Sequence, residues 1–337
     1  MSDETRVLSA DESPSRRNQR RRKRRMTRGQ RWVIGTLALG VLVVGIAVAA
    51  LLFADFRMKD AGTLNALTPG NGTFLVVGTD SRENLPDDLE GSFGDFAGAR
   101  ADVIMLMQVA DDTLQLLSLP RDLKVDIAGH GTEKINAAYA FGGPDLLVET
   151  VTEATGIGVN HYMEVDFAGF ADLVDAVGGV ELDFPAPARD LKSGLVVEEA
   201  GPQTVDGATA LAYARSRSYE EMRDGDWRSV RAGDIERTGR QREVLLQIVS
   251  RASSPSGLVR SPAVLTQVTG NLTVDSTVTP FLLARTGWAF RSAGDTHAVT
   301  LPVSGTTEGG VAYLVRSEPA ATEVLEAFAA GRPLPEA

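Results

Sequence analysis

Between Trp32 and Phe53 runs WVIGTLALGVLVVGIAVAALLF, 22 residues without a single charge. About 20 apolar residues suffice to cross the hydrocarbon core of a bilayer as a helix, and a helix satisfies every backbone amide within the segment. The run therefore predicts one transmembrane helix over 32–53 and splits the rest of the chain into a part on each side. Residues 16–31, RRNQRRRKRRMTRGQR, hold ten bases. Positive charge beside a spanning helix stays on the cytoplasmic side. The expectation is a single-pass cell-membrane protein with a signal anchor: a basic, disordered cytoplasmic tail at 1–31, and an extracytoplasmic remainder. A cleaved signal peptide does not match, because its apolar region spans about 7–15 residues.

The basic run alone would also suit a nucleic-acid-binding tail. The first 31 residues carry 11 of the 34 Lys/Arg and 4 of the 45 Asp/Glu, a net of +7, so the remainder carries −18. A body this acidic repels nucleic acid, and no nucleic-acid partner is expected. Any arginine cluster within it becomes informative for the same reason. The chain has no cysteine, which excludes a disulfide framework, a thiolate nucleophile and a Cys-type zinc site.

Residues 54–72 show little periodicity and read as a stalk. Apolar runs at 73–78, 103–110 and 113–120 read as strands, the last two joined in a tight hairpin at Asp111-Asp112. Helical spacing follows at 134–141 and 144–156, the second opening on Pro144 and closing at Gly156. HYMEVDF and VELDF read as strands around a helix in AGFADLVDAVGG. A long amphipathic helix spans 235–253. Then come a helix around PFLLARTGWAF, a strand in HAVTLPV and a final helix at 318–330. Strands alternating with helices define an α/β class. The prediction is one extracytoplasmic α/β/α domain over 73–330 with a central mixed sheet, preceded by one transmembrane helix.

The three histidines, His130, His161 and His297, are widely separated, and no G-x-S-x-G elbow, P-loop or G-x-G-x-x-G follows a strand. What remains is a set of charges at strand ends. Asp80 and Arg82 follow the first strand in GTDSRE, Arg100 and Asp102 precede the second in GARADV, and Arg121 and Asp122 follow the third in LSLPRDL. If these strands are neighbours, Asp80 and Asp102 share one end of the sheet, where open α/β folds bind ligands. Two carboxylates there suit Mg²⁺, which takes oxygen ligands and keeps waters for phosphate oxygens. Arginine is a forked donor that matches phosphate bidentately. Arg82, Arg100, Arg121, Arg215, Arg217 and Arg237 together suit a pyrophosphate. Taken singly, each is better accounted for by a salt bridge on an acidic surface, and spacing alone does not make them converge.

GTDSRE, GARADVIMLMQV, LSLPRDLKVDI, KINAAYAFGGP, HYMEVDFAGF, VDAVGGVEL, DGATALAYARSRS and GDIERTGRQRE resemble, in order, the successive motifs of the LytR-CpsA-Psr family. The core motifs lie within 73–248, with weaker similarity to 330. The family's members are membrane-anchored, extracytoplasmic phosphotransferases. They take a glycopolymer from a polyprenyl-pyrophosphate carrier and join it through a phosphodiester to a sugar hydroxyl of peptidoglycan, releasing polyprenyl phosphate. By that resemblance Asp80 and Asp102 match Mg²⁺ ligands, with Mn²⁺ as a substitute. Arg82, Arg100, Arg121, Arg215, Arg217 and Arg237 match the arginines around the pyrophosphate. Asp234 matches an acidic residue beside the reacting phosphate, and Arg121, Asp234 and Arg237 form the expected catalytic set. Lys134 and Asn136 match a site-shaping motif. Glu236 stands where a glycine is common, and residues 218–233 form a longer insert than usual. A lipid carrier needs an apolar groove, for which the helix faces of 134–156 and 235–250 are candidates. A pyrophosphate hydrolase using the same site, and a polyprenyl-phosphate-binding regulator without turnover, remain alternatives. So do arabinogalactan, teichoic-type polymer and capsule as cargo, and a protein in place of peptidoglycan as acceptor.

Overall fold

A computed structural model describes residues 58–70, 72–79, 100–110, 113–230, 234–252, 272–293 and 295–335. The predicted span at 32–53, Asp80, Arg82 and the side chain of Asp234 lie outside the described residues. Within them, no helix is long and apolar enough to cross a membrane.

The strands are β1 (Lys59–Asp60), β2 (Phe74–Thr79), β3 (Ala101–Ala110), β4 (Thr113–Ser118), β5 (Lys124–Ile127), β6 (Gly131–Lys134), β7 (His161–Asp166), β8 (Val180–Phe184), β9 (Ala188–Asp190), β10 (Leu195–Val197), β11 (Gly201–Val205), β12 (Glu220–Arg223), β13 (Asp226–Ser229), β14 (Leu272–Val274), β15 (Asp295–Thr300), β16 (Val303–Glu308) and β17 (Val311–Arg316). The helices are α1 (Ile135–Thr155), α2 (Phe167–Ala176), α3 (Gly207–Arg215), α4 (Asp234–Ala252), α5 (Pro280–Ser292) and α6 (Ala320–Ala329).

Seven strands form the central sheet in the order β1-β14-β7-β2-β3-β4-β15. It is mixed: β2 runs parallel to β7 and antiparallel to β3, while β15 runs parallel to β4. Residues alternate between faces, as a pleated strand requires. Leu75, Val77, Ile104, Leu106 and Leu117 pack on one side with α1 and α6. Phe74, Val76, Met105, Met107, Leu114 and Leu116 pack on the other, against leucines of α4 and α5. Helices therefore cover both faces, which is the expected three-layer α/β/α arrangement.

Helix α3 and strand β14 are additions to the sequence reading, and two further details differ from it. Part of the expected stalk belongs to the fold, since Lys59–Asp60 adds an edge strand on β14 and Leu64 is buried in the core. Backbone pairing needs no apolar periodicity, so the pattern gave no sign of it. The two expected helices at 134–141 and 144–156 form one helical stretch with a kink, where Gly142 and Gly143 leave helical geometry and Gly143 takes φ 65°. A left-handed φ there suits glycine, and Pro144 restarts the helix in a first-turn position.

A smaller subassembly sits beside the sheet. Strands β10-β9-β12-β13 form an antiparallel sheet, β8 pairs with β11, and α2, α3 and α4 complete a separate cluster around Val174, Val180, Leu182, Phe184, Tyr213 and Val244. The long insert at 218–233 supplies the β12–β13 hairpin. Gly207 opens α3 where a Cβ would lie 2.2 Å from the Ala171 carbonyl oxygen, so only glycine lets α3 approach α2 this closely.

Candidate active site

One end of the central sheet collects the carboxyl ends of β2, β4 and β7 and the start of β3. The register fixes this: Thr79 pairs with Ala101, and Ser118 with Met105. Asp102 and Arg121, 19 residues apart in sequence, therefore meet. Arg121 Nη1 donates to Asp102 Oδ1 at 2.6 Å. Arg237, from the first turns of α4, places Nη1 3.8 Å from the other carboxylate oxygen of Asp102 and is itself only 3% exposed.

Burial alone would raise the Asp102 carboxyl. The charges of Arg121 and Arg237, the hydrogen bond from Arg121 and the charge of Arg217 outweigh it and hold the group below its usual value. Asp102 is thus kept ionised among at least three guanidinium groups.

The Arg121 loop is held from below. Pro120 accepts from the Leu123 N–H to close a turn. The Asn136 N–H donates to the Arg121 carbonyl at 3.3 Å, and the Ile135 N–H to that of Leu123 at 2.8 Å. Lys134 Nζ donates to Asp122 Oδ1 at 2.7 Å, and Asp122 Oδ2 lies 3.5 Å from Arg121 Nε. The start of α1 is thereby fastened to the loop that presents Arg121, which gives the Lys134 side chain a physical task.

Arg215 ends α3, and its guanidinium lies 4.9 Å from the ring centroid of Phe167, the first residue after β7. That places it at the same sheet end. Arg100 is exposed and immediately precedes β3 there. Asp234 is the first residue of α4, three positions before Arg237. Of the expected site residues, the structure brings Asp102, Arg121 and Arg237 into contact, sets Arg217 near enough for its charge to act on Asp102, and sets Arg215 and Arg100 at the same strand ends. Asp80 directly follows β2 but, like Arg82, lies outside the described residues.

Two residues escaped the sequence reading. Arg240, 4% exposed, donates through Nη2 to the Ser216 carbonyl and lies 5.4 Å from the Tyr219 ring centroid. Asp190, 1% exposed, accepts from Ser216, Arg217 and Ser218. In the sequence, Arg240 is one base of a basic helix and Asp190 opens the turn DLKSG, so only tertiary contacts single them out.

A site lined by convergent arginines matches a polyanion with several phosphoryl oxygens. A hard divalent cation needs oxygen ligands, and Asp102, ionised at a strand end, fits as one of them. Among the described residues no group of three or more His, Cys, Asp or Glu gathers in a metal-holding arrangement. The second expected carboxylate, Asp80, falls outside them.

Comparison with known proteins gives a consistent result. The model of the LytR_cpsA_psr family matches residues 56–330. The chain is 36% identical over 317 residues to a protein of Corynebacterium glutamicum named "Probable cell wall biosynthesis protein LcpB", covering 90% of this chain and 73% of that one. It is 31% identical over 264 residues to the Bacillus subtilis polyisoprenyl-teichoic acid–peptidoglycan teichoic acid transferase TagT, covering 72% and 76%. Among solved structures, a LytR-Csp2A-Psr enzyme from Actinomyces oris superposes with a TM-score of 0.64 at 27% identity, covering 81% of this chain and 96% of that one. A structure of TagT bound to LI-WTA gives a TM-score of 0.59 at 26% identity, covering 81% and 96%.

Proposed function

The chain belongs to the LytR-CpsA-Psr family, and on that premise we propose that it is a membrane-anchored, extracytoplasmic phosphotransferase. It moves a glycopolymer from a polyprenyl-pyrophosphate carrier to a sugar hydroxyl of peptidoglycan, forms a phosphodiester and releases polyprenyl phosphate. The observation that carries this reading is the Asp102 carboxylate held by Arg121 and Arg237, with the charge of Arg217 close by, at the open end of the sheet of an acidic body. The transferase name of TagT and the LI-WTA in its structure support the same class of cargo.

Phosphoryl transfer asks a protein for positioning and charge neutralisation more than for covalent help. Arg121, Arg217 and Arg237 hold the non-bridging oxygens of the diphosphate and stay protonated throughout. Their forks set the phosphorus in line with an incoming hydroxyl, and they stabilise the negative charge that grows on the leaving oxygen. The sugar oxygen forms a bond to the sugar-side phosphorus, and the bond from that phosphorus to the bridging oxygen breaks. Polyprenyl phosphate departs with the electron pair. Asp234, one helical turn before Arg237, takes the hydroxyl proton. Asp80 and Asp102 would hold Mg²⁺, which when bound would supply further charge neutralisation at the phosphate oxygens. The apolar groove for the prenyl chain is the sheet face under α4 and α5. The other candidate, the helix at 134–156, buries Leu147, Val148 and Val151 in the core but leaves Phe141 48% exposed.

The test is incubation of the full chain in lipid nanodiscs with a polyprenyl-pyrophosphate-linked glycan, Mg²⁺ and peptidoglycan oligomers. A phosphodiester-linked product is expected, and Arg121→Ala lowers kcat/KM by about 10²–10³-fold. Phosphate release without linkage would instead make the protein a hydrolase. Lipid binding without turnover that survives Asp80→Ala would make it a carrier-binding regulator.

A further inference from the structure

In the transfer reading Arg217 grips the diphosphate, yet no helix or strand holds it. Helix α3 ends at Arg215, and Ser216 turns to extended backbone at φ −60°, ψ 129°. A guanidinium on a free turn would spread over many positions and lose most of its value as a fixed donor. Something must therefore fix residues 216–218.

We propose that Asp190, at the end of β9 in the small sheet, is the positioning residue that clamps this turn and so aims Arg217 at the anion site. The inference rests on the transfer reading of Arg217. One carboxylate oxygen of Asp190 accepts three hydrogen bonds from consecutive residues: Ser216 Oγ at 2.7 Å, the Arg217 N–H at 2.9 Å and the Ser218 N–H at 2.8 Å. The other oxygen accepts from the Lys192 N–H at 2.9 Å and the Ser193 N–H at 3.4 Å. From the far side Arg240 holds the Ser216 carbonyl, its guanidinium 5.9 Å from the ring centroid of Tyr213 and 5.4 Å from that of Tyr219. The turn is thus gripped through both its donors and its acceptor.

A buried carboxylate is costly unless its hydrogen bonds are complete. Here they come from donors on both sides, so only the ionised carboxylate fits. An asparagine has the same shape, but whichever way its amide is turned, an NH₂ group faces backbone donors. The clamp links β9, 26 residues upstream, to the phosphate-gripping turn, and it leaves the chemistry itself to Arg217.

The experiment measures binding of geranylgeranyl diphosphate to the full chain in nanodiscs, with melting temperature recorded for every variant. Asp190→Asn is expected to weaken binding about 10-fold, and Arg217→Ala at least as much. The double variant should bind no more weakly than Arg217→Ala alone, because residues acting through one another are not additive. Leu195→Ala, which opens the same small sheet's core, should lower the melting temperature and leave binding unchanged. The clamp is overturned if the Asp190 and Arg217 losses multiply, if Asp190→Asn binds normally, or if Leu195→Ala weakens binding equally at matched stability. Normal binding by Arg217→Ala would instead bring down the transfer reading of that arginine, and the clamp with it. Should Asp190→Asn fail to fold, Ser216→Ala removes a single hydrogen bond and no charge. A loss of about threefold then supports the clamp, and unchanged affinity rejects it.

Discussion

The two faces of the central sheet are made from alternate residues of the same strands, yet they are finished differently. On one, α1 and α6 seal the strands with Leu147, Val148, Val151 and Phe328, all at 0% exposure. On the other, the helix residues that reach the strands, Leu245, Leu246, Leu282 and Leu283, are only partly buried, and Met58, Met105, Met107 and Met163 contribute much of the lining. Helix α5 also leaves Phe281 and Trp288 largely exposed. Period-two alternation decides which residues are apolar. The covering helices decide how tightly they are packed. Methionine is unbranched and fills irregular space without fixing its shape, so the methionine-lined face is the more adaptable of the two and the sealed face supplies more of the stability.

That contrast can be broken most easily by truncation. Leu147→Ala on the sealed face should cost about 3 kcal/mol in chemical denaturation. Leu283→Ala on the other face should cost about 1 kcal/mol, in proportion to the smaller area it removes from water. Equal losses would mean that the faces are packed alike.

A subtler test uses acid, because Arg237 of α4 reaches Asp102 of β3 and so ties one covering helix to the sheet end. The Asp102 carboxyl lies below its ordinary 3.8 in the folded protein. Its contribution to stability is therefore complete above that value and is lost as the pH falls through the lower folded one. Hydrogen exchange at low pH should show α4 amides losing protection before those of α1. Simultaneous loss would show that the Asp102–Arg237 link does not anchor α4. The smallest effect is expected from Trp288→Ala, which should change stability by less than about 0.5 kcal/mol. A larger loss would place that ring in a contact the exposed surface of α5 does not suggest.

The alternation of apolar runs with 3.6-residue periodicity made β2, β3, β4, β7 and β15 of the central sheet legible, and every helix but α3, including both halves of kinked α1; β1, β14 and α3 were not read. That Asp102 and Arg121 stand at strand ends was legible, but their meeting was not, because spacing alone does not make charges converge. The small sheet was not legible either. Strands β12 and β13 read EEMR and DWRS, with one apolar residue each, and they are strands because β9 offers β12 a backbone partner and β12 offers one to β13. Asp190 and Arg240 were invisible for a related reason: each acquires its task from partners 24 or more residues away, and no local pattern encodes those pairings. Charges at strand ends can be read from spacing, whereas the residues that aim them cannot.

The order β1-β14-β7-β2-β3-β4-β15 has a consequence for how the molecule is assembled. Strands β14 and β15, which flank the β7-β2-β3-β4 block, are drawn from residues 272–300, near the end of the chain. Until they are made, β7 and β4 each present an unpaired backbone edge, open to association with other chains. Such long-range closure is slow. A nascent chain emerging amino-terminus first must carry this half-finished ribbon from the completion of β7 at residue 166 until β15 is made at 295–300, and truncation before residue 295 should yield a protein prone to aggregate even though every residue of the turn at 216–218 is present.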